Sequence, residues 1–222
     1  MARATGTGPG EITADGCAVD FYALLPDRGE PAIVHAAVPA SAEILELGCG
    51  TGRILRPLAD LGHPVFGVDE STAMLAHLGD LACARSSIET LRLDRTFDAV
   101  LLASTLINTE PEQRRAFLAT CARHVRPDGV VVVQRHPPEW LDTVEPYDVD
   151  DGGIRWVGHS VRRTGATLDA VLEYHVDGRV WTHAFTAYRI DDEELAADLA
   201  ATGLRLDRWL TDDHAWFTAR PI

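Results

Sequence analysis

The sequence has little positive charge and no clustering of it. Its 20 basic residues face 34 acidic ones, for a net charge of −14, which argues against unspecific binding to nucleic acid or an anionic membrane, since both draw on grouped cations. No apolar run approaches the length of a membrane span. Residues 1–10, rich in Gly, Thr and Pro, lack the apolar core of a signal peptide and are expected to be a disordered start. These absences point to a cytoplasmic protein. Cys17, Cys49, Cys83 and Cys121 show neither paired nor metal-binding spacing, so free thiols and no metal are expected. Internal repeats and low-complexity tracts are missing, and so is the Gly-Lys-Ser/Thr of a P-loop.

What is present centres on Ile44-Leu45-Glu46-Leu47-Gly48-Cys49-Gly50-Thr51-Gly52-Arg53. Ile44 to Leu47 read as a buried strand, and Gly48-x-Gly50-x-Gly52 turns the chain into a helix that starts near Arg53. Glycine permits positive φ and removes the Cβ that would hold a ligand off. Strand, glycine turn and helix N-terminus together offer a cradle of N–H groups at the carboxyl end of a strand, where open α/β sheets bind nucleotides. A dinucleotide fingerprint runs G-x-G-x-x-G. Here Arg53 stands where the last glycine belongs. The acid Glu46, just before the loop, would repel a pyrophosphate and suits a ligand with an amino or sulfonium charge. The next strand, Pro64-Val65-Phe66-Gly67-Val68-Asp69, ends in an acid about 20 residues on, placed to accept from ribose hydroxyls.

This pattern resembles the first motif of the class I S-adenosylmethionine-dependent methyltransferase family, and Phe97–Ser104 resembles its second landmark. The resemblance is sharp over residues 43–135 and looser to the end. It implies an α/β fold: a Rossmann-like, doubly wound, mostly parallel seven-stranded sheet with an antiparallel edge. It also implies S-adenosylmethionine as cofactor, held by Glu46, Gly48, Cys49, Gly50, Gly52, Arg53, Asp69 and Glu70. Family members often carry an acid near the adenine amino group. That position falls on Ser87 here, a departure from the pattern, with Ile88 beside it. Tyr22, on a short helix ahead of the first strand, is a candidate for the cofactor's amino-acid end, and Ser104 opens at the pocket mouth.

The rest of the chain is read as a single domain. Residues 1–42 form a helical cover, 43–136 the cofactor core, 137–190 a substrate-covering insert, and 191–222 a closing helix and two strands. Pro137–Gly153 reads as a long polar loop. Ile154–Arg163, Ala166–Val176 and Arg179–Ile190 alternate like three antiparallel strands. The Asp177-Gly178 turn pairs Tyr174 with Trp181, Leu172 with His183 and Ala170 with Phe185. The resulting apolar, aromatic face either roofs the substrate pocket or joins two copies of the chain in a homodimer. Thr109-x-x-Glu112 and Asp191-x-x-Glu194 each read as a capping box.

Methyl transfer to a hydroxyl or a protonated amine needs a base, and histidine serves near neutral pH. His136, just past the fifth strand, and His183, on the aromatic face, are the catalytic candidates. Asn108, Arg135, Trp140, Tyr174, Trp181 and Phe185 are candidates for binding the substrate, with Arg135 able to take a substrate carboxylate or to pair with a surface acid. The expected acceptor is a small molecule, a secondary metabolite suiting the aromatic face, with O or N receiving the methyl group. Two alternatives stand beside this reading: a nicotinamide-dependent oxidoreductase, and a non-catalytic module that binds the same cofactor.

Overall fold

The computed structural model describes residues 4–222. The chain divides into two compact units, Met1–Leu25 with Glu139–Arg189, and Pro26–Pro138 with Ile190–Ile222. The helical cover read over residues 1–42 is therefore shared. Strand β1 (Thr5–Thr7) and helix α1 (Val19–Tyr22) belong with the insert, and α2 (Glu30–Ala37) belongs with the core.

The larger unit holds β2 (Ile44–Leu47), α3 (Leu55–Asp60), β3 (Val65–Asp69), α4 (Thr72–Leu75), β4 (Cys83–Arg85), β5 (Phe97–Leu102), α5 (Pro111–His124) and β6 (Val125–Gln134). It closes with α7 (Asp192–Ala201), β11 (Leu204–Trp209) and β12 (Trp216–Pro221). Its seven strands run in the order β11-β12-β6-β5-β2-β3-β4. The central strands pair in parallel, and β12 and β11 form the expected antiparallel edge. The unbroken apolar runs follow from this topology, because both faces of a parallel sheet are covered. Ile44, Ala99, Leu101, Val130 and Val132 pack on one side with Val34, Ile54 and Leu58. Leu45, Leu47, Val100, Leu102, Val131 and Val133 pack on the other with Phe117, Leu118, Leu195 and Leu199. Each of these Val, Leu, Ile and Phe side chains contributes roughly 1.5–3 kcal/mol by leaving water.

Two local expectations are refined. Pairing of β5 with β6 jumps from Phe97↔Val125 to Ala99↔Val130, so the Arg126–Gly129 turn protrudes from an otherwise continuous strand. Of the two expected caps, only the second forms: Asp191 Oδ1 accepts from the Glu194 N–H at 2.8 Å, while the Glu194 carboxylate pairs with Arg114. The first fails because α5 starts one residue late, with Glu110 at the cap, and Thr109 Oγ1 bonds Gln113 Oε1 instead.

The smaller unit adds α6 (Trp140–Thr143), β7 (Tyr147–Asp151), β8 (Ile154–Thr164), β9 (Thr167–Val176) and β10 (Arg179–Tyr188). These strands and β1 make a five-stranded antiparallel sheet in the order β1-β10-β9-β8-β7. Asp177 and Gly178 take φ of 50° and 73°, as a two-residue hairpin turn requires, and they set the expected register of Tyr174 with Trp181 and Leu172 with His183.

The three expected strands are thus five, and two expectations change. Pro137–Gly153 contains α6 and β7 rather than only loop. The expected disordered start is ordered from β1 onward. Thr5–Thr7 pairs with Thr182–Ala184 on the open edge of β10, where unpaired backbone groups invite a strand. Trp181 Nε1–H donates to the Pro9 carbonyl at 2.8 Å. The part of that expectation falling on residues 1–3 lies outside the described residues.

Candidate active site

The glycine loop is built as its spelling demands. Gly48, Gly50 and Gly52 have φ of 71°, 53° and 85°. The Gly48 and Cys49 N–H groups donate to the Val68 carbonyl at 2.8 and 2.9 Å, tying the loop to the next strand. A Cβ at Gly48 would stand 2.5 Å from Leu106 Cδ1, and one at Gly52 would stand 2.6 Å from Leu78 Cδ2. At Gly50 the nearest atom would be Met74 Sδ at 4.0 Å, so the loop faces open space there.

Two carboxylates flank the loop. Asp69, at the tip of β3, accepts from the Gly50 N–H and the Ser71 N–H, both at 2.9 Å. Ser71 in turn caps α4 through the Met74 N–H. Glu46 is 3 % exposed, and its Oε2 has no hydrogen-bond partner among the described residues. Burial pushes its carboxyl up to about 8; the Arg53 guanidinium opposes that shift, and Asp69 and Glu30 add to it. A buried, unsatisfied acid is costly in a ligand-free fold and is what an incoming cation would satisfy.

Arg53 donates through Nη1 to Glu30 Oε1 at 2.5 Å and through Nη2 to Ser104 Oγ at 3.4 Å. Burial raises the Glu30 carboxyl, but the Arg53 and Arg28 donors outweigh it and hold it below its ordinary value. Sequence reading missed Glu30, which no local pattern ties to a partner 23 residues away. Cys49 is buried, and that burial pushes its thiol up, so it packs as a protonated side chain and not as a nucleophile. The Glu70 carbonyl accepts from Arg85 Nε at 2.9 Å. Ser87 Oγ pairs with Thr90 Oγ1 at 2.8 Å, and Ile88 joins the core beneath the sheet.

At the carboxyl edge of β6 the imidazole of His136 is lowered by burial to about 4, so it is neutral near pH 7 and only weakly basic. Its backbone N–H donates to Asn108 Oδ1 at 2.7 Å. Arg135 takes the second of its two expected roles, pairing with an acid. It is fully buried and spends its donors on the His214 and Ile190 carbonyls, each at 2.9 Å, and on the Asp192 carboxylate. With its guanidinium 4.9 Å from the centre of the Trp209 ring, it ties β6 to the C-terminal segment and is buried away from an incoming substrate carboxylate.

The smaller unit corrects two expectations. Trp181 and Tyr174 are 0 % and 5 % exposed. They sit in a cluster with Ala18, Phe21 and Ile154, and Phe21 stacks on Tyr174 with ring centres 4.1 Å apart. The aromatic face is covered there by the unit's own N-terminal segment, so these two rings are core. Tyr22 lies in that segment, its phenol raised by burial and by Cys17. His183 Nε2–H donates to the Asp15 carbonyl at 3.2 Å, and burial lowers its imidazole while that bond opposes the shift. Trp140 and Phe185 instead line a small apolar cleft with Tyr147, Val161 and Leu172. No group of three or more His, Cys, Asp or Glu suited to a metal occurs among the described residues.

A parallel sheet of this order, a glycine cradle and an acid on each side of it define the class I nucleotide-binding methyltransferases. Comparison with known proteins agrees. Residues 44–129 match the family model for a methyltransferase domain. The chain is 33% identical over 216 residues to the dTDP-3-amino-3,6-dideoxy-alpha-D-glucopyranose N,N-dimethyltransferase of Streptomyces fradiae, covering 89% of this chain and 82% of the relative. It is 31% identical over 203 residues to the corresponding 3,4,6-trideoxy enzyme of Streptomyces venezuelae, covering 85% of each. The CcbJ methyltransferase of Streptomyces caelestis superposes with a TM-score of 0.75 at 22% identity, over 91% of this chain and 95% of that one. The chain belongs to the S-adenosylmethionine-dependent methyltransferase family and is an enzyme. The nicotinamide and non-catalytic alternatives are set aside, the first already disfavoured by Arg53 in the loop.

Proposed function

We propose that the enzyme methylates an amine nitrogen on a small polar acceptor, an amino sugar being the class that its relatives' names suggest. The observation that carries this is His136. An imidazole held near 4 is a poor acceptor for a hydroxyl proton, so His136 would not serve as the base of an oxygen methylation. An amine that arrives neutral needs none: its lone pair forms the N–C bond as the S–C bond breaks, sulfur keeps the electron pair, and the surplus proton passes to water. Alignment then supplies most of the acceleration.

S-adenosylmethionine, when bound, supplies the methyl cation equivalent. Glu46 would face its positive end, Gly50 would admit it, Asp69 would take the ribose, and Arg53 with Ser104 would hold the amino-acid tail. Ser87 and Ile88 are the proposed adenine neighbours. Glu70, Tyr22 and His183 stay as weaker candidates for site roles. Trp140 and Phe185 remain the candidates for apolar contact with the acceptor. No helix of the described residues is long and apolar enough to cross a membrane, which fits a cytoplasmic biosynthetic role. The test is incubation with S-adenosylmethionine carrying a ¹³C methyl group and paired acceptors: a nucleotide-linked 3-amino sugar and its 3-hydroxy counterpart. The N-methyl carbon signal should appear with the first alone. An O-methyl signal from the second would overturn the reading.

A further inference from the structure

Beyond the glycine loop, a second feature of the larger unit faces the same edge. Where β5 leaves the sheet, Ser104 and Thr105 take φ of 53° and 57°. Two consecutive non-glycine residues in the left-handed region persist only where neighbours hold them. Two neighbours do, and they work reciprocally. Gln134, the last residue of β6, accepts from the Ser104 N–H through Oε1 at 2.7 Å. Asn108, after the β5 turn, accepts from the His136 N–H through Oδ1 at 2.7 Å. Each strand end thus grips the backbone just past the other. The turn also packs against the cradle: Leu106 fills the space in which a Cβ on Gly48 would stand, and Ser104 Oγ receives Arg53.

We infer that Gln134 and Asn108 are positioning residues. They hold the Ser104–Leu106 turn as one wall of the cofactor cradle and fix the main chain of His136. The inference rests on the cofactor reading given above. The Gln134 bond uses only the acceptor atom, so a carboxylate can replace its carboxamide oxygen and an aliphatic side chain of similar length cannot.

The experiment is calorimetric titration of the full chain with S-adenosylhomocysteine, alongside thermal melting. Gln134→Met should bind about ten-fold more weakly while melting within a few degrees of the wild type, and Gln134→Glu should recover to within about two-fold. Asn108→Leu should likewise weaken binding. A part in folding alone would lower the melting temperature and leave affinity measured far below it untouched. Gln134→Met binding as tightly as the wild type overturns the inference; failure of the wild type to bind overturns the cofactor reading instead. Should the aliphatic variants not fold, amide hydrogen exchange on the wild type decides. Ser104 and His136 should both be protected, and more so with the ligand bound; exchange at unprotected rates in the complex overturns the inference.

Discussion

Glu46, one residue before the end of β2, and Asp69, the last residue of β3, lie on neighbouring parallel strands in register through Leu47 and Val68, yet only Asp69 has its oxygens satisfied by the surrounding backbone. It accepts from Gly50 and Ser71, whereas Oε2 of Glu46 accepts from nothing among the described residues. The difference separates a group that builds the cradle from one held ready for a ligand.

Asp69→Ala should therefore fail twice. Loss of hydrogen bonds to a charged group weakens cofactor binding by about 1–3 kcal/mol, and release of the Gly50 and Ser71 N–H groups lowers the melting temperature. Titration calorimetry and thermal melting on one preparation check both. Unchanged affinity would remove Asp69 from the site.

Gly50→Ala isolates the ligand from the fold. The protein leaves room for the new methyl group, and the left-handed backbone should cost roughly 1–2 kcal/mol of stability. The variant should fold but bind S-adenosylmethionine at least ten-fold more weakly. Gly52→Ala should lower stability further, because its Cβ meets Leu78.

Arg114 tests the larger unit's packing. It is fully buried, donates to Asp198 at 2.6 Å and also pairs with Glu194, joining α5 to α7. Arg114→Leu leaves the buried Asp198 with only the more exposed Arg115, at 3.2 Å, and should cost about 3 kcal/mol, read as a lower denaturant midpoint.

His136 fixes a pH dependence. Burial holds its folded-state value near 4, below the ordinary imidazole value of about 6.5. The unfolded chain binds the extra proton first, so stability should fall as pH drops from about 6.5 to 4. His136→Phe should make that part of the stability profile less steep, the remainder coming from His183 and His124, which burial also lowers. A profile that keeps its slope contradicts the assignment.

Local signals in the sequence carried much of this structure. Asp177-Gly178 sets a register because a two-residue turn leaves no freedom in pairing. The Glu46 and Asp69 positions follow from strand and loop spelling. Long-range choices were not legible. Nothing near Arg135 in sequence names Asp192, nor near Arg53 names Glu30. Thr109 reads as a cap until the helix is seen to begin at Pro111. β1 is three residues with a central glycine, too short and too flexible to read as a strand without the edge of β10 that receives it. Tyr174 and Trp181 carry the pattern of a surface roof, but what covers them is a segment more than a hundred residues earlier.

The most direct test of the account is a proton count on cofactor binding. The Glu46 carboxyl stands near 8, above the ordinary value of about 4.3. The native protein therefore holds an extra proton between those values and loses stability as pH rises through them. At pH 6.5 the carboxyl is protonated, and a cationic ligand must ionise it. Calorimetry in buffers of different ionisation enthalpy should show S-adenosylmethionine binding with release of about one proton, and Glu46→Gln should bind more weakly with none released while melting higher than the wild type at pH 8. Binding without proton release, or unchanged affinity in Glu46→Gln, would contradict the account.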